Sequence, residues 1–531
     1  MVKAPSTTAV GRAADDEDSE NPHGLGGDRR FRSLGRGELV AAIVLLAGIV
    51  LRFWARSPLW LDEALSVDIA GLPLGDIPSA LLRDGAPPLY YFLLHLWMEL
   101  FGSGDFAVRA LSGVLSVATL PAVWIAGRRL GGRSVATWAV VIFAVSPFAI
   151  RYATETRMYA LVVFLVAWGY LALARTLRDP SAWSVVSVAA LSASLALTHY
   201  WALYLLLVTG AFLIVRVVKA PDARGAKAAL LGLVVGALLF LPWAPKFLYQ
   251  FQHTGTPWAS SPPFGSLFNT PIFWAGGPLR AGPLLGIVFF GLIVLALFGR
   301  ASGENRIELR PIERPEAAAL AVIVFATLVV AYAAGVIGHS TFADRYTSVV
   351  FPLFVLIAAL GLCAIGNATV RTSVLALIVV CGLINSVGNV GLVRTQAGHV
   401  ARQIAKKAQP NDVVVYCPDQ LGPAVSRELP SGFQEVPYPA AGDPRFVDWV
   451  DYEERNRSSD PIGFARMLEE RVPEGGSIWL VSAPGYRTFG RKCTQLKAEL
   501  AEARPGAEPL VRRKSKSQAW EREELSVYPA P

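Results

Sequence analysis

Long apolar runs separated by short polar stretches dominate the first three-quarters of the chain. Runs at about 38–55, 106–127, 134–151, 157–175, 182–199, 200–218, 227–246, 283–299, 317–337, 346–366 and 372–392 approach the ~20 residues an α-helix needs to cross a bilayer core. The pattern predicts an α-helical polytopic membrane protein with about eleven transmembrane helices. One further stretch, 86-APPLYYFLLHLWMELF-101, is shorter, opens with Pro-Pro and carries His95 and Glu99. From about residue 393 the pattern changes. The segments 412-DVVVYC-417 and 477-SIWLVS-482 read as strands, and 422–428 and 491-RKCTQLKAELAEA-503 as helices. Strand-then-helix units predict a small, partly parallel α/β domain. The expected organisation is a disordered cytoplasmic tail over 1–37, a transmembrane domain over 38–392 and an extracytoplasmic α/β domain over 393–531.

Charge decides how the short stretch behaves. If 86–101 does not cross, the loops 128-RRLGGR-133, 175-RTLRD-179, 216-RVVKAPDARGAK-227 and 300-RASGENRIELRPIER-314 all fall on the side of the N-terminus. That is where the positive-inside rule puts them. If it crosses, all four land outside. The segment therefore reads as a juxtamembrane or re-entrant helix, tolerated where protein or a water-filled cavity covers it. The acidic run 13-AADDEDSE-20 precedes the basic cluster 29-RRFRSLGR-36, a signal-anchor arrangement with the N-terminus in the cytoplasm. The loops 56–105, 152–156, 247–282 and 338–345, the turn at His199 and the tail from 393 then lie outside.

Composition agrees. Of 531 residues 53% are hydrophobic, mean hydropathy is +0.43 and 17% are charged, against roughly 25% in an average soluble protein. The net charge of +8 is carried by the inter-helical loops, with no basic stripe interleaved with aromatics, so nucleic acid is not an expected partner. Cys363 and Cys381 lie in apolar runs. Cys417 and Cys493 fall in the tail, where they can pair if it is extracytoplasmic; two separate thiols is the alternative.

Polar residues that interrupt this pattern collect on one membrane face. Asp62 and Glu63 in 60-WLDEALS-66 follow the first run; as helical neighbours they point about 100° apart, so one can face a cavity while the other caps or pairs. Arg151, Glu155 and Arg157 sit in 151-RYATETRMYA-160, His199 in 198-THYW-201, and Asp344 and Arg345 in 342-FADRYTSVVFP-352. Each has a bland reading: a loop acid at a helix N-terminus, a salt-bridged turn, an interfacial His among belt aromatics, a snorkelling Arg. Their coincidence on one face, under a topology set by other residues, points to a polar cavity there.

The order WLDEA, then 84-DGAPPLYYFLLHLW-97, 109-RALSGVLSVATLPAVWIAGRRLGG-132, 154-TETRMYAL-161, 198-THYWAL-203 and 345-RY-346 followed by Pro352 resembles the GT-C class of membrane glycosyltransferases. The bacterial branch it resembles is related to protein O-mannosyltransferases and the lipid A aminoarabinose transferase. The resemblance covers the first ~350 residues and not the tail. It implies transfer of a sugar, mannose or arabinose by class analogy, from a polyprenyl-phosphate donor to the hydroxyl of a glycan, lipid or protein acceptor at the outer face of the plasma membrane. It implies Asp62 as the catalytic acid acting as general base with Glu63 as its catalytic motif partner, and Glu155 and Arg157 as residues of the active cavity; Tyr159, His199, Asp344 and Arg345 are expected to join these two in binding substrate, the arginines by their fit to phosphate. A divalent metal on Glu63, Glu155 and His199 is left open. Where the class often has His-Pro-Pro, this chain reads Ala86-Pro87-Pro88. The rival readings are a transporter or flippase of a lipid-linked saccharide, expected to show inverted repeats and broken helices, and a non-catalytic envelope assembly protein.

Overall fold

The computed structural model describes residues 36–255, 261–338, 340–484, 486, 488–515 and 519–531; the expectation of a disordered acidic tail falls on residues outside these. The N-terminal three-quarters is helical: α1 (Arg36–Leu51), α2 (Leu61–Ala70), α3 (Ile77–Asp84), α4 (Leu89–Phe101), α5 (Asp105–Val145), α6 (Pro147–Ala153), α7 (Tyr159–Arg178), α8 (Ala182–Ala196), α9 (Trp201–Lys219), α10 (Arg224–Phe240), α11 (Ala244–His253), α12 (Gly265–Trp274), α13 (Gly282–Phe298), α14 (Pro315–Ile337), α15 (Phe351–Gly361) and α16 (Ala368–Val390).

Among the described residues six helices are long and apolar enough to cross a membrane, and the other apolar runs form shorter helices. The outward faces carry Trp183, Leu207, Ile287, Val329 and Val380, all more than half exposed, as lipid-facing positions require. The chain is a multi-pass membrane protein.

Each predicted run is helical, with local adjustments. α5 is continuous in hydrogen bonding but holds two of the runs. Gly131 and Gly132 leave helical geometry, and Gly132 sits at φ 75°, where a Cβ is penalised. The arms fold back so tightly that a Cβ on Gly127 would lie 2.8 Å from the Ala136 Cα. α4 has 13 residues, about 20 Å at 1.5 Å per residue and short of the ~30 Å hydrocarbon core. It is tied sideways: His95 Nδ1 is 2.7 Å from the Ala70 carbonyl at the end of α2, and Trp97 Nε1 donates to Ala107 O in α5 at 2.8 Å. Just after α1, the buried guanidinium of Arg52 donates to the carbonyls of Gly48, Ala144 and Phe143 and to Ser116 Oγ at 2.7–2.9 Å. Phe143 and Ala144 are among the last residues of α5, whose negative dipole end suits a cation.

A small hairpin, β1 (Gly299–Ala301) with β2 (Ile307–Leu309), occupies the basic loop before α14. The C-terminal region holds a five-stranded sheet of β3 (Val413–Cys417), β4 (Gln434–Pro437), β5 (Ile478–Ser482), β6 (Glu508–Val511) and β7 (Glu524–Tyr528), in the order β4-β3-β5-β7-β6. β3 pairs in parallel with β4 and β5; β7 and β6 add on antiparallel. β3 and β5 are buried throughout, which is why their sequences read as unbroken apolar runs. Their side chains alternate between two cores. Val414, Tyr416, Trp479 and Val481 pack with α17 (Ala397–Lys407) and α18 (Gly422–Glu428). Val413, Val415, Ile478 and Leu480 pack with α20 (Pro461–Arg471) and α21 (Lys492–Ala503), α19 (Tyr452–Ser458) lying at the edge of the same core. Cys417 and Cys493 are disulfide-bonded, joining β3 to α21.

This region is seated on α3, α11 and the start of α5. Trp449 N–H donates to Arg83 O and Asp451 N–H to His253 O, at 3.0 and 2.8 Å; Arg427 pairs with Asp105 at 3.1 Å. Leu61, the first residue of α2, lies inside the core under the sheet.

Candidate active site

α2 carries the adjacent acids. Its 100° step sends them to different surroundings. Glu63 is wholly buried (0% exposed). Arg109 Nε donates to its Oε1 at 2.7 Å and Arg109 Nη2 to its Oε2 at 2.6 Å. The Thr156 N–H and Arg394 Nη1 also donate to Oε1, at 2.9 and 3.3 Å. Burial alone would raise this carboxyl, but Arg109 and Arg394 together hold it below the usual range. With four donors on it and no exposure, this carboxylate is sealed from solvent and committed to its partners. It fastens α2 to α5, to the 154–156 loop and to the chain leaving α16. Arg394 completes the fastening by donating to Thr154 O and Oγ1 at 2.5 and 2.7 Å.

Asp62 faces the other way and stays accessible: its side chain is 18% exposed, and its Oδ2 lies 3.3 Å from Arg345 Nη1, itself 23% exposed. Arg157 stands behind, with Nη1 donating to Ser66 Oγ at 2.9 Å, to the Asp62 carbonyl at 3.3 Å and to Tyr91 OH at 3.4 Å. Tyr91 in turn donates to Asp84 Oδ2 at 2.8 Å, so the 84–91 segment is spent on holding Arg157. One carboxylate thus sits beside two guanidiniums.

The remaining predicted residues line the same neighbourhood in different states. Glu155 is 1% exposed with neither carboxyl oxygen hydrogen-bonded, and Arg151 Nε is 3.9 Å away; burial pushes its carboxyl up against the pull of Arg151 and Arg394. His199 is buried between the rings of Tyr159 and Tyr346, with centroids at 5.8 and 5.0 Å. Its Nδ1 accepts the Trp201 N–H at 3.1 Å. Burial, with Arg157 and Arg345 nearby, pushes its pKa down to about 3, so the imidazole is neutral at physiological pH. Asp344 is raised to about 6 by burial, offset by Arg151 and Arg345; its carbonyl accepts from Thr347 Oγ1 at 2.6 Å.

A metal site on Glu63, Glu155 and His199 is not assembled: among the described residues no group of three or more His, Cys, Asp or Glu could hold a metal ion. The physical reason is that Glu63 is committed to two arginines. Sequence reasoning assigned no role to Arg109, Asp84, Tyr91, Arg394, Trp520 or Glu521. An arginine inside an apolar run, as at 109, was the one available signal, since its burial demands a partner.

A family model described as dolichyl-phosphate-mannose-protein mannosyltransferase matches residues 85–245. Among solved structures, ArnT from Cupriavidus metallidurans in the apo state is similar at TM-score 0.61 and 14% identity, over 93% of this chain and 97% of that one. The same protein bound to undecaprenyl phosphate gives 0.57 and 15%, over 93% and 98%. This chain has the GT-C fold. The oligosaccharyltransferase of Archaeoglobus fulgidus, in its complex with Zn and sulfate, is similar at TM-score 0.51 and 12% identity, over 83% of this chain and 67% of that one. No curated protein matches the sequence. The likeness to ArnT covers 93% of this chain and 97% of that one, so it extends into the C-terminal region, which the sequence resemblance did not cover.

A second feature of this GT-C chain is a cleft of about 430 Å³ between α2, α3 and the sheet region, lined by Leu65, Ile69, Arg83, Asp419, Phe446 and Arg455 among others. At its wall Tyr452 OH donates to Asp419 Oδ1 at 2.5 Å, and burial raises Asp419 to about 7.

Proposed function

We propose that this protein transfers a sugar from a polyprenyl-phosphate-linked donor to an acceptor hydroxyl, with Asp62 as general base. The observation that carries the reading is the placement of Asp62. It is the accessible acid of α2, 3.3 Å from Arg345, while its neighbour is sealed. ArnT, whose fold this chain shares, binds undecaprenyl phosphate, and that supports the donor class.

The chemistry follows from the charges. A sugar phosphodiester already has a good leaving group, so one base suffices, unlike glycoside hydrolysis with its two working carboxylates. Asp62 takes the acceptor O–H proton as that oxygen attacks the anomeric carbon. The bond from that carbon to the phosphate oxygen breaks, and polyprenyl phosphate leaves with the electron pair. Arg345 and Arg157 neutralise the departing phosphate, for which the guanidinium fork is suited. Attack in line with departure inverts the anomeric centre; isolation of a covalent glycosyl-enzyme would contradict this. Tyr159, His199, Glu155 and Asp344 line the donor sugar and its phosphate. Glu63 acts by fixing α2, not by touching substrate.

The same reading sets the topology: 1–37 in the cytoplasm, 38–392 in the plasma membrane and 393–531 outside, where an oxidising compartment suits the Cys417–Cys493 disulfide. The deciding measurement is donor consumption by membranes carrying wild type or Asp62→Asn, supplied with radiolabelled polyprenyl-phosphate sugars. Transfer by wild type that falls at least ~100-fold in the variant is expected, the usual worth of a general base. Equal consumption by both removes Asp62 from the role.

A further inference from the structure

The first turn of α2 leaves backbone N–H groups without helical partners, as every helix does. Trp60, which precedes the helix, supplies no side-chain cap. The partner of the first of these, Leu61 N–H, comes from the far end of the chain: Glu521 Oε1 accepts it at 2.8 Å. Asp62 is the next residue.

The segment that delivers Glu521 is well held. Val393 and Ala519 form a parallel bridge. Glu521 N–H donates to Arg394 O at 2.9 Å, and Thr395 Oγ1 donates to Glu523 Oε1 at 2.9 Å. Between them Trp520 is a hub. The Arg151 guanidinium lies 3.8 Å from its ring centroid and that of Arg394 5.5 Å, and Trp60 meets it edge-on at 5.9 Å. This stretch therefore touches Arg151 and Arg394, the cations beside Glu155 and Glu63, as well as the base of the catalytic helix.

We propose that residues 519–523 form a clasp on α2 and that Glu521 is a positioning residue for Asp62. The Glu521–Leu61 bond fixes the turn from which the Asp62 carboxylate projects. The inference rests on the reading of Asp62 as base. Burial beside Glu523 pushes the Glu521 carboxyl well above the usual range; what the Leu61 N–H requires of it is an accepting oxygen at this length.

The test compares Glu521→Gln, Glu521→Asp and Glu521→Ala in the full-length protein, purified in detergent as folded, monodisperse material with the disulfide intact. Two readouts are taken: hydrogen exchange of the amides at the start of α2, and kcat and donor KM per folded molecule. Gln keeps an acceptor of the same length and is expected to match wild type in exchange and to within about threefold in kcat. Asp retracts the acceptor by one methylene, and Ala removes it. Both are expected to speed exchange at least tenfold and to lower kcat about 10-fold or more, the scale of ångström misplacement, with donor KM changed less than threefold. Unchanged exchange in Asp and Ala overturns the clasp. So does unchanged kcat, which leaves Glu521 a purely structural residue, or a Gln variant as damaged as Ala. If Ala does not fold, the Gln and Asp pair decides by the same criteria. If wild type consumes no donor, the transferase reading is what fails, and the exchange arm still decides the clasp.

Discussion

Asp62 and Glu63 are adjacent in sequence and opposite in surroundings: one side chain is 18% exposed, the other not at all. Around Glu63 the protein is dry and closed: two arginines and a backbone amide supply four donors to its two oxygens. Around Asp62 a single guanidinium contact at 3.3 Å leaves the carboxylate partly open. The same functional group, one residue along a helix, is a fastening in one place and, under the proposed function, a reagent in the other. What separates them is the 100° turn per residue and the elements that pack on each side of α2, not anything intrinsic to aspartate or glutamate.

The comparison breaks most visibly if the two acids are exchanged in importance. Glu63→Ala strands Arg109 and Arg394 as buried cations and is expected to cost about 3–5 kcal/mol. That is enough to deplete folded protein in membranes, read by yield and by the detergent unfolding midpoint. Asp62→Asn should leave that midpoint within about 1 kcal/mol of wild type while abolishing transfer. If Glu63→Ala folds normally and only activity is lost, the division of labour is wrong. A smaller effect is expected at the partner of Asp62: Arg345→Lys keeps the charge and loses the fork, so donor KM should rise roughly 10-fold, measured by donor titration with acceptor saturating.

The smallest expected effect concerns pH. Burial, eased by Thr395, pushes Glu523 from 4.5 to about 8, Glu521 moves the same way, and Asp419 rises from 3.8 to about 7. Between the ordinary and the raised values the folded state holds more protons than the unfolded one, so stability falls as pH rises through that window. The unfolding midpoint should therefore drop between about pH 5 and pH 8, and the drop should shrink in the Glu521→Gln, Glu523→Gln double variant. A midpoint that climbs across that range contradicts the burial of these carboxyls.

Much of the membrane architecture was legible because a bilayer imposes one demand, a long apolar run with its backbone bonds satisfied internally. The strands β3 and β5 were legible for a related reason, since both faces are buried. β4 was not: 434-QEVP-437 is short, ends in Pro and lies at the sheet edge. Nor was β7, whose alternation in 524-ELSVY-528 is too brief to separate from a loop. The α2 acids stood out as charges beside a membrane run, but which one was free could not be read. Glu63 is closed off by Arg109 and Arg394, 46 and 331 residues away, and the start of α2 is held by Glu521, 460 residues from Leu61. Periodicity is a local signal and carries no information about such partners.

The arginines of Glu63 come from positions 109 and 394, and the amide partner of α2 from position 521. α2 itself is made early, soon after the first apolar run. During synthesis Glu63 meets Arg109 and the Thr156 amide early, whereas Arg394 follows 331 residues after it, and the Glu521 partner of Leu61 follows 460 residues after that residue. The closing of its surroundings is one of the last events of assembly. A chain halted before Arg394 would carry α1 to α16 without the Arg394 partner of Glu63 and the Glu521 partner of Leu61.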